Sequence, residues 1–153
     1  MTEQAESSDT AKPLLFLPAS ALMHHGHIDD DHRELIGMLN RMLLAAGAHG
    51  TLGGAAFAEG LQSFIARAER HFRDEEQAMA AVAYPQLAQH KLHHADVLRR
   101  LAGALRDTAV QSKVAAAEVY DLFNFILDDL LRADLAFKSF LDATRKAKCA
   151  SAD

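Results

Sequence analysis

Two pairs of potential metal ligands at four-residue spacing mark this chain: His71 with Glu75, and His90 with His94. Four residues of α-helix turn through about 400°, so the members of each pair leave one face of their helix about one turn apart. Each pair is able to clamp one side of a metal ion. A further imidazole, His32, follows Ile28-Asp29-Asp30-Asp31, and two late carboxylates, Asp129 and Asp134, lie on a fourth apolar-periodic stretch. The chain has nine histidines, and a single one on a helix is ordinarily solvated or hydrogen bonded. Clustered pairs embedded in apolar helices on either side of Tyr84-Pro85 are a different matter, because surface composition does not generate them together.

Positioning these ligands requires helices, and the apolar periodicity supplies four. The first is expected from about Asp30 to Ala46, with Leu35, Leu39, Met42 and Leu43 on one stripe and His32 in its first turn; Gly47 to Gly54 form a turn region. The second runs from about Ala55 to Ala81, where Phe57, Leu61, Phe64, Ile65, Ala68 and Phe72 share the core-facing side with His71 and Glu75. Tyr84-Pro85 ends it, since proline disfavours helix in its predecessor yet suits the first turn of a new one. The third is therefore expected from Pro85 to about Arg106, and the fourth from Lys113 to about Lys146, carrying Val119, Leu122, Phe123, Ile126, Leu130, Phe137 and Leu141. No segment alternates as a strand does. The fold class is all-α: an up-down-up-down antiparallel four-helix bundle with an N-terminal arm, an architecture that builds metal sites from facing helices.

At 153 residues one domain can bury a substantial core without disulfides. The expected organisation is a tail and arm over residues 1–21, the bundle over 22–147 and a C-terminal tail over 148–153. Residues 1 to about 12 read as a disordered tail, and Leu14-Leu15-Phe16-Leu17, bounded by Pro13 and Pro18, as an extended arm packed over the helices or as a sticky tail. That run is too short for a signal-peptide core or a membrane span. With the lone thiol of Cys149, this points to a cytoplasmic protein. A net charge of −5 with interspersed signs argues against a nucleic-acid partner.

At these residues the sequence resembles the hemerythrin family, in particular its single-domain bacterial members. The resemblance rests on Ile28-Asp29-Asp30-Asp31-His32, on His71-Phe72-Arg73-Asp74-Glu75-Glu76 followed by Tyr84-Pro85, and on His90-Lys91-Leu92-His93-His94, in that order over about residues 22 to 141. It implies two non-haem iron ions bridged by carboxylates and an oxo or hydroxo group. His32 and His71 would hold the iron that keeps a position open for dioxygen, His90 and His94 the second iron, and Glu75 and Asp134 would bridge them. Bridging carboxylates hold two cations close while offsetting their repulsion.

The fourth helix departs from the family pattern. Asp129 stands where a fifth histidine is expected, so it either binds the second iron through oxygen or leaves a water there. An added carboxylate favours the ferric state, and an open position makes both irons accessible. Five residues from Asp129 to Asp134 turn through about 500°, which implies a distorted helix or different approach angles. Two functions follow: binding of dioxygen for uptake, delivery or sensing, or an enzyme that reduces dioxygen, peroxide or nitric oxide with an electron donor. Binding stands slightly ahead.

Other residues carry smaller expectations. Asp29 is expected to cap the first helix, His93 to face away from His90 and His94, and Glu76 to face away from Glu75 while serving a supporting hydrogen bond. His24, His25 and His27 read as a solvated turn. Phe64, Phe72, Leu35, Leu98, Phe125 and Leu130 are expected as core that also lines an apolar pocket beside the open iron position.

Overall fold

The computed structural model describes residues 15–47 and 50–150, apart from the side chains of Asp129 and Leu130. The expected tail, and Leu14 of the arm, fall outside the described residues. Four helices carry the fold: α1 (Ile28–Gly47), α2 (Gly54–Ala81), α3 (Leu87–Ala109) and α4 (Ala116–Ala150). α1 and α3 each pack against α2 and α4, and connections of a few residues return the chain each time, which gives the antiparallel bundle read from the periodicity.

Each helix buries one stripe. On α1 the buried positions are Ile28, His32, Leu35, Ile36, Leu39, Met42 and Ala46, spaced by three or four residues apart from the adjacent Leu35 and Ile36. On α2 they are Phe57, Leu61, Phe64, Ala68, His71, Phe72, Glu75 and Met79, with Gly54 at the start. The large apolar cluster joins Leu39, Phe57, Leu61, Phe64, Leu101 and Phe123 at one end of the bundle. A smaller one joins Met23, Ile28, Met79, Tyr84, Phe137 and Leu141 at the other. His32, Glu75, His90, His94 and Asp134 fall between the two clusters in sequence, and His71 sits at the edge of the large one beside Phe72, so that the six form a polar layer between apolar ones.

Three local features differ from the sequence reading. A small antiparallel ribbon, β1 (Thr51–Gly53) with β2 (Lys113–Ala115), closes the end of the large cluster and pairs Leu52 with Val114. Three residues are too few for alternation to be visible in a sequence. α3 begins at Leu87 rather than Pro85 because α2 ends in a tight turn: Ala83 takes φ of 51°, and the Tyr84 N–H reaches back to the Met79 carbonyl at 2.9 Å. Asp29 does not cap α1. Its carboxylate turns back to accept the Met23 and His24 N–H groups at 2.7 and 2.9 Å, pinning the loop ahead of the helix.

Among the described residues of the arm, Leu15 is tied to α1. Leu15 exchanges two hydrogen bonds with the Asn40 amide, at 2.9 and 2.8 Å, and packs on the large cluster, while Phe16 is 76% exposed.

Gly54 starts α2 where the ribbon crosses. A Cβ there would lie 1.9 Å from the Gln111 carbonyl oxygen, whereas one on Gly53 would meet open space. Gly54→Ala is expected to destabilise the fold by about 2 kcal/mol or more through overpacking against rigid backbone, and Gly53→Ala to change it little. Thermal unfolding of the two variants checks this; equal midpoints would contradict it.

Candidate metal centre

The four helices bring six donors into one buried layer. His32 comes from α1, His71 and Glu75 from α2, His90 and His94 from α3, and Asp134 from α4; all six are buried. On α2 and α3 the four-residue spacing places each pair on one face. The donors fall into two sets of four: His32, His71, Glu75 and Asp134, and Glu75, His90, His94 and Asp134. In each set one ligand atom from every residue lies within 4.8 Å of the others. Glu75 and Asp134 belong to both.

The distances are those of atoms facing a common centre. His32 Nε2 lies 3.1 Å from His71 Nε2 and 3.2 Å from Asp134 Oδ2. His71 Nε2 lies 3.9 Å from Glu75 Oε2. On the other side, Glu75 Oε2 is 3.3 Å from His94 Nε2 and 3.4 Å from His90 Nε2, and His90 Nε2 is 3.5 Å from Asp134 Oδ1. Metal bonds of about 2.1 Å place neighbouring donor atoms roughly 3.0–3.4 Å apart in tetrahedral or octahedral arrangements. The donor set is nitrogen and oxygen throughout, which suits iron, zinc or manganese and does not call for a thiolate.

The polar accounting independently suits a bound cation. Glu75 Oε1, Asp134 Oδ1, His32 Nδ1 and His94 Nε2 are buried without a hydrogen-bond partner. Unpaired buried polar atoms cost free energy, and two buried carboxylates together cost more. The strain shows in the protonation. Burial, then the Glu75 charge, raises the Asp134 carboxyl above its usual range. Burial alone would raise Glu75 as well, but the His90 and His94 imidazoles beside it hold it well below the carboxylate range. His71 is lowered, chiefly by burial. Burial also works against charge on His32 and His94, yet the Asp134 carboxylate raises the first, and Glu75 with Glu76 raises the second.

Supporting hydrogen bonds orient two imidazoles. His94 Nδ1 donates to Glu76 Oε1 at 2.9 Å, the role expected of Glu76. His71 Nδ1 faces Asp31 Oδ2 at 3.4 Å; Asp31 is paired with Arg67, whose Nε donates to Glu34 at 2.7 Å. Such carboxylate–imidazole pairs fix which nitrogen faces the metal. Sequence reasoning missed Asp31 and Arg67. Their only signal was an acid next to His32 and a base four residues before His71.

Phe72 stacks on His94 with ring centroids 3.9 Å apart. Phe64, Leu35 and Leu98 sit in or against the large cluster as expected. Phe125 does not line the site: it is 46% exposed and lies under the Arg100 guanidinium at 4.9 Å. His93 is half-buried, its ring 6.3 Å from that of His90. His24 and His27 are exposed, and His25 sits edge-on to Phe137. The Asp129 and Leu130 side chains lie outside those described. α4 itself is continuous through 129 and 134.

A family model described as the hemerythrin HHE cation binding domain matches residues 23–135. No curated protein matches the chain, and no solved structure does.

Proposed function

The chain belongs to the hemerythrin HHE cation-binding family, and from that premise we propose that the buried layer holds two non-haem iron ions and binds dioxygen for uptake, delivery or sensing. The observation that carries this reading is the sharing of Glu75 and Asp134 between two four-donor sets. A single ion would use one set and leave the two buried imidazoles of the other set facing the centre with no ion to bind. His32 and His71 would serve one iron, His90 and His94 the other, and Asp129 would add a further oxygen donor to the second. The site-bearing unit is proposed as residues 22–147, preceded by an arm (1–21) and followed by a C-terminal segment (148–153) into which α4 continues as far as Ala150.

Bound ferrous iron would supply the electrons that make dioxygen a ligand. The chain's own part is to hold the ions together with two carboxylates, to fix each imidazole through Glu76 and Asp31, and to keep bulk water out with the apolar clusters on either side. Among the described residues no helix is long and apolar enough to cross a membrane. The exposed free thiol of Cys149 suits the cytoplasm proposed as its location.

The alternative is a di-iron enzyme that reduces dioxygen, peroxide or nitric oxide, and the residue that favours it is Asp129. A carboxylate donor in place of imidazole adds negative charge and favours the ferric state. The test is metal analysis, then anaerobic ferrous protein exposed to dioxygen. A visible band that appears in air and disappears under argon supports binding; immediate irreversible oxidation supports the enzyme. The oxygenated form is expected to decay more slowly in Asp129→His, and stopped-flow spectra showing equal or faster decay would count against a ligand role for Asp129.

A further inference from the structure

Between α3 and α4 a cleft of about 150 Å³ descends from the surface to His90. Its polar wall consists of Tyr84, Gln86, Gln89 and His93, and its α4 side is made by Ala133 and Ala136. The two alanines flank Asp134 in the sequence, and their size leaves the space open. The Tyr84 hydroxyl donates to Gln86 Oε1 at 3.2 Å, while its ring, 6% exposed, packs on Phe137 and Phe140 at the inner side of the cleft. None of the lining residues is a carboxylate or a permanent cation. Amide, phenol and imidazole groups offer donors and acceptors without net charge.

A cavity of about 390 Å³ beside His25 and His27 contrasts with this. It contains the paired Asp31 and Arg67 and ends at these supporting residues, with none of the six buried donors in its wall.

We propose that the Tyr84–His93 cleft is the route by which small, neutral, hydrogen-bonding molecules of hydrogen peroxide's size reach the centre from its His90 side, apart from the position beside His32 and His71 left for dioxygen. This rests on the dinuclear reading above. Dioxygen needs no hydrogen-bonding path, whereas peroxide crossing an apolar shell would lose its hydrogen bonds to water, and the cleft replaces them. Its reaction with a ferrous pair balances simply: two electrons from the irons and two protons from solvent break the O–O bond and leave two waters.

Ala136 is exposed, so Ala136→Phe fills the cleft without disturbing the core. The variant is expected to keep the parent's iron content and helicity, to react with peroxide about tenfold more slowly in anaerobic stopped-flow, and to react with dioxygen at nearly the parent rate. Gln89→Phe, also at an exposed position, is a second plug in case the first misfolds. An independent reading needs no metal. The chain has two tyrosines and no tryptophan, so in Tyr120→Phe protein the fluorescence reports Tyr84 alone. Its quenching by acrylamide, a small neutral amide, is expected to fall severalfold when Ala136→Phe is added.

A plugged variant that retains two irons and reacts with peroxide at the parent rate overturns the proposal, whatever the quenching does. Unchanged quenching overturns it equally, because the cleft then gives no access. Fewer than two irons in the unsubstituted chain sinks the dinuclear reading first, and this route with it.

Discussion

Glu75→Gln is expected to reduce iron from two ions per chain to one at most, with affinity for the remaining ion lower by about 100-fold or more. Loss of a residue that only orients a ligand costs about 10–100-fold, and Glu75 stands in both donor sets, with His71, His90 and His94 all within 3.9 Å of its Oε2. Glutamine keeps the shape but removes the negative charge that offsets two cations. Glu76→Gln is the matched control: it weakens the hydrogen bond to His94 Nδ1 and a half-exposed ion pair with Lys91 and is expected to keep both ions with about tenfold lower affinity. Iron analysis after equilibrium dialysis separates the two. Two tightly held ions in Glu75→Gln would remove the shared-carboxylate site altogether.

Stripping the metal should have the second largest effect. At a free metal concentration a thousand times the dissociation constant, binding contributes about 4 kcal/mol of stability, which for a chain of this size is roughly 8–16 °C in melting temperature. The two apolar clusters lie outside the polar layer, so the metal-free chain is expected to remain helical while melting earlier.

That gap should also depend on pH. In the metal-free chain His32 and His94 are raised above 6.5 by Asp134, Glu75 and Glu76 against the cost of burial. Their protonated forms therefore stabilise the fold fully below about 6.5, and that contribution is lost as pH rises through the raised values. Asp134, raised by burial and by Glu75, acts in the same direction. His71, lowered chiefly by burial, opposes them: its contribution is present above 6.5 and lost on acidification. Metal requires neutral imidazole and ionised carboxylate, so the difference in melting temperature between loaded and stripped protein should widen from pH 6 to pH 8. A gap that is constant or narrows on that interval would show that protons and metal do not compete for this layer.

The sequence was enough for the bundle and for which side chains leave a helix together, and the reason is local. A 3.6-residue period dictates which side chains leave a helix together, so His71 with Glu75 and His90 with His94 had to share a face whatever those helices packed against. Tyr84-Pro85 had to break the helix, because backbone sterics act within a few residues. The first three motifs likewise sufficed to point to the family.

What lies between helices was not legible. The axial offset and rotation that bring His32 Nε2 to 3.1 Å from His71 Nε2, and Asp134 within reach of both sets, come from side-chain packing. One such contact is the Phe72 ring on His94; another is the close approach of Gly54 to Gln111. The same packing turned Asp29 back on its own loop, recruited Asp31 with Arg67, and left Phe125 outside under Arg100. Periodicity gives a residue's direction around its own axis, but which neighbour it meets depends on how two axes settle against each other. That is decided by the whole core at once, and it made the list of donors into two sets that share Glu75 and Asp134.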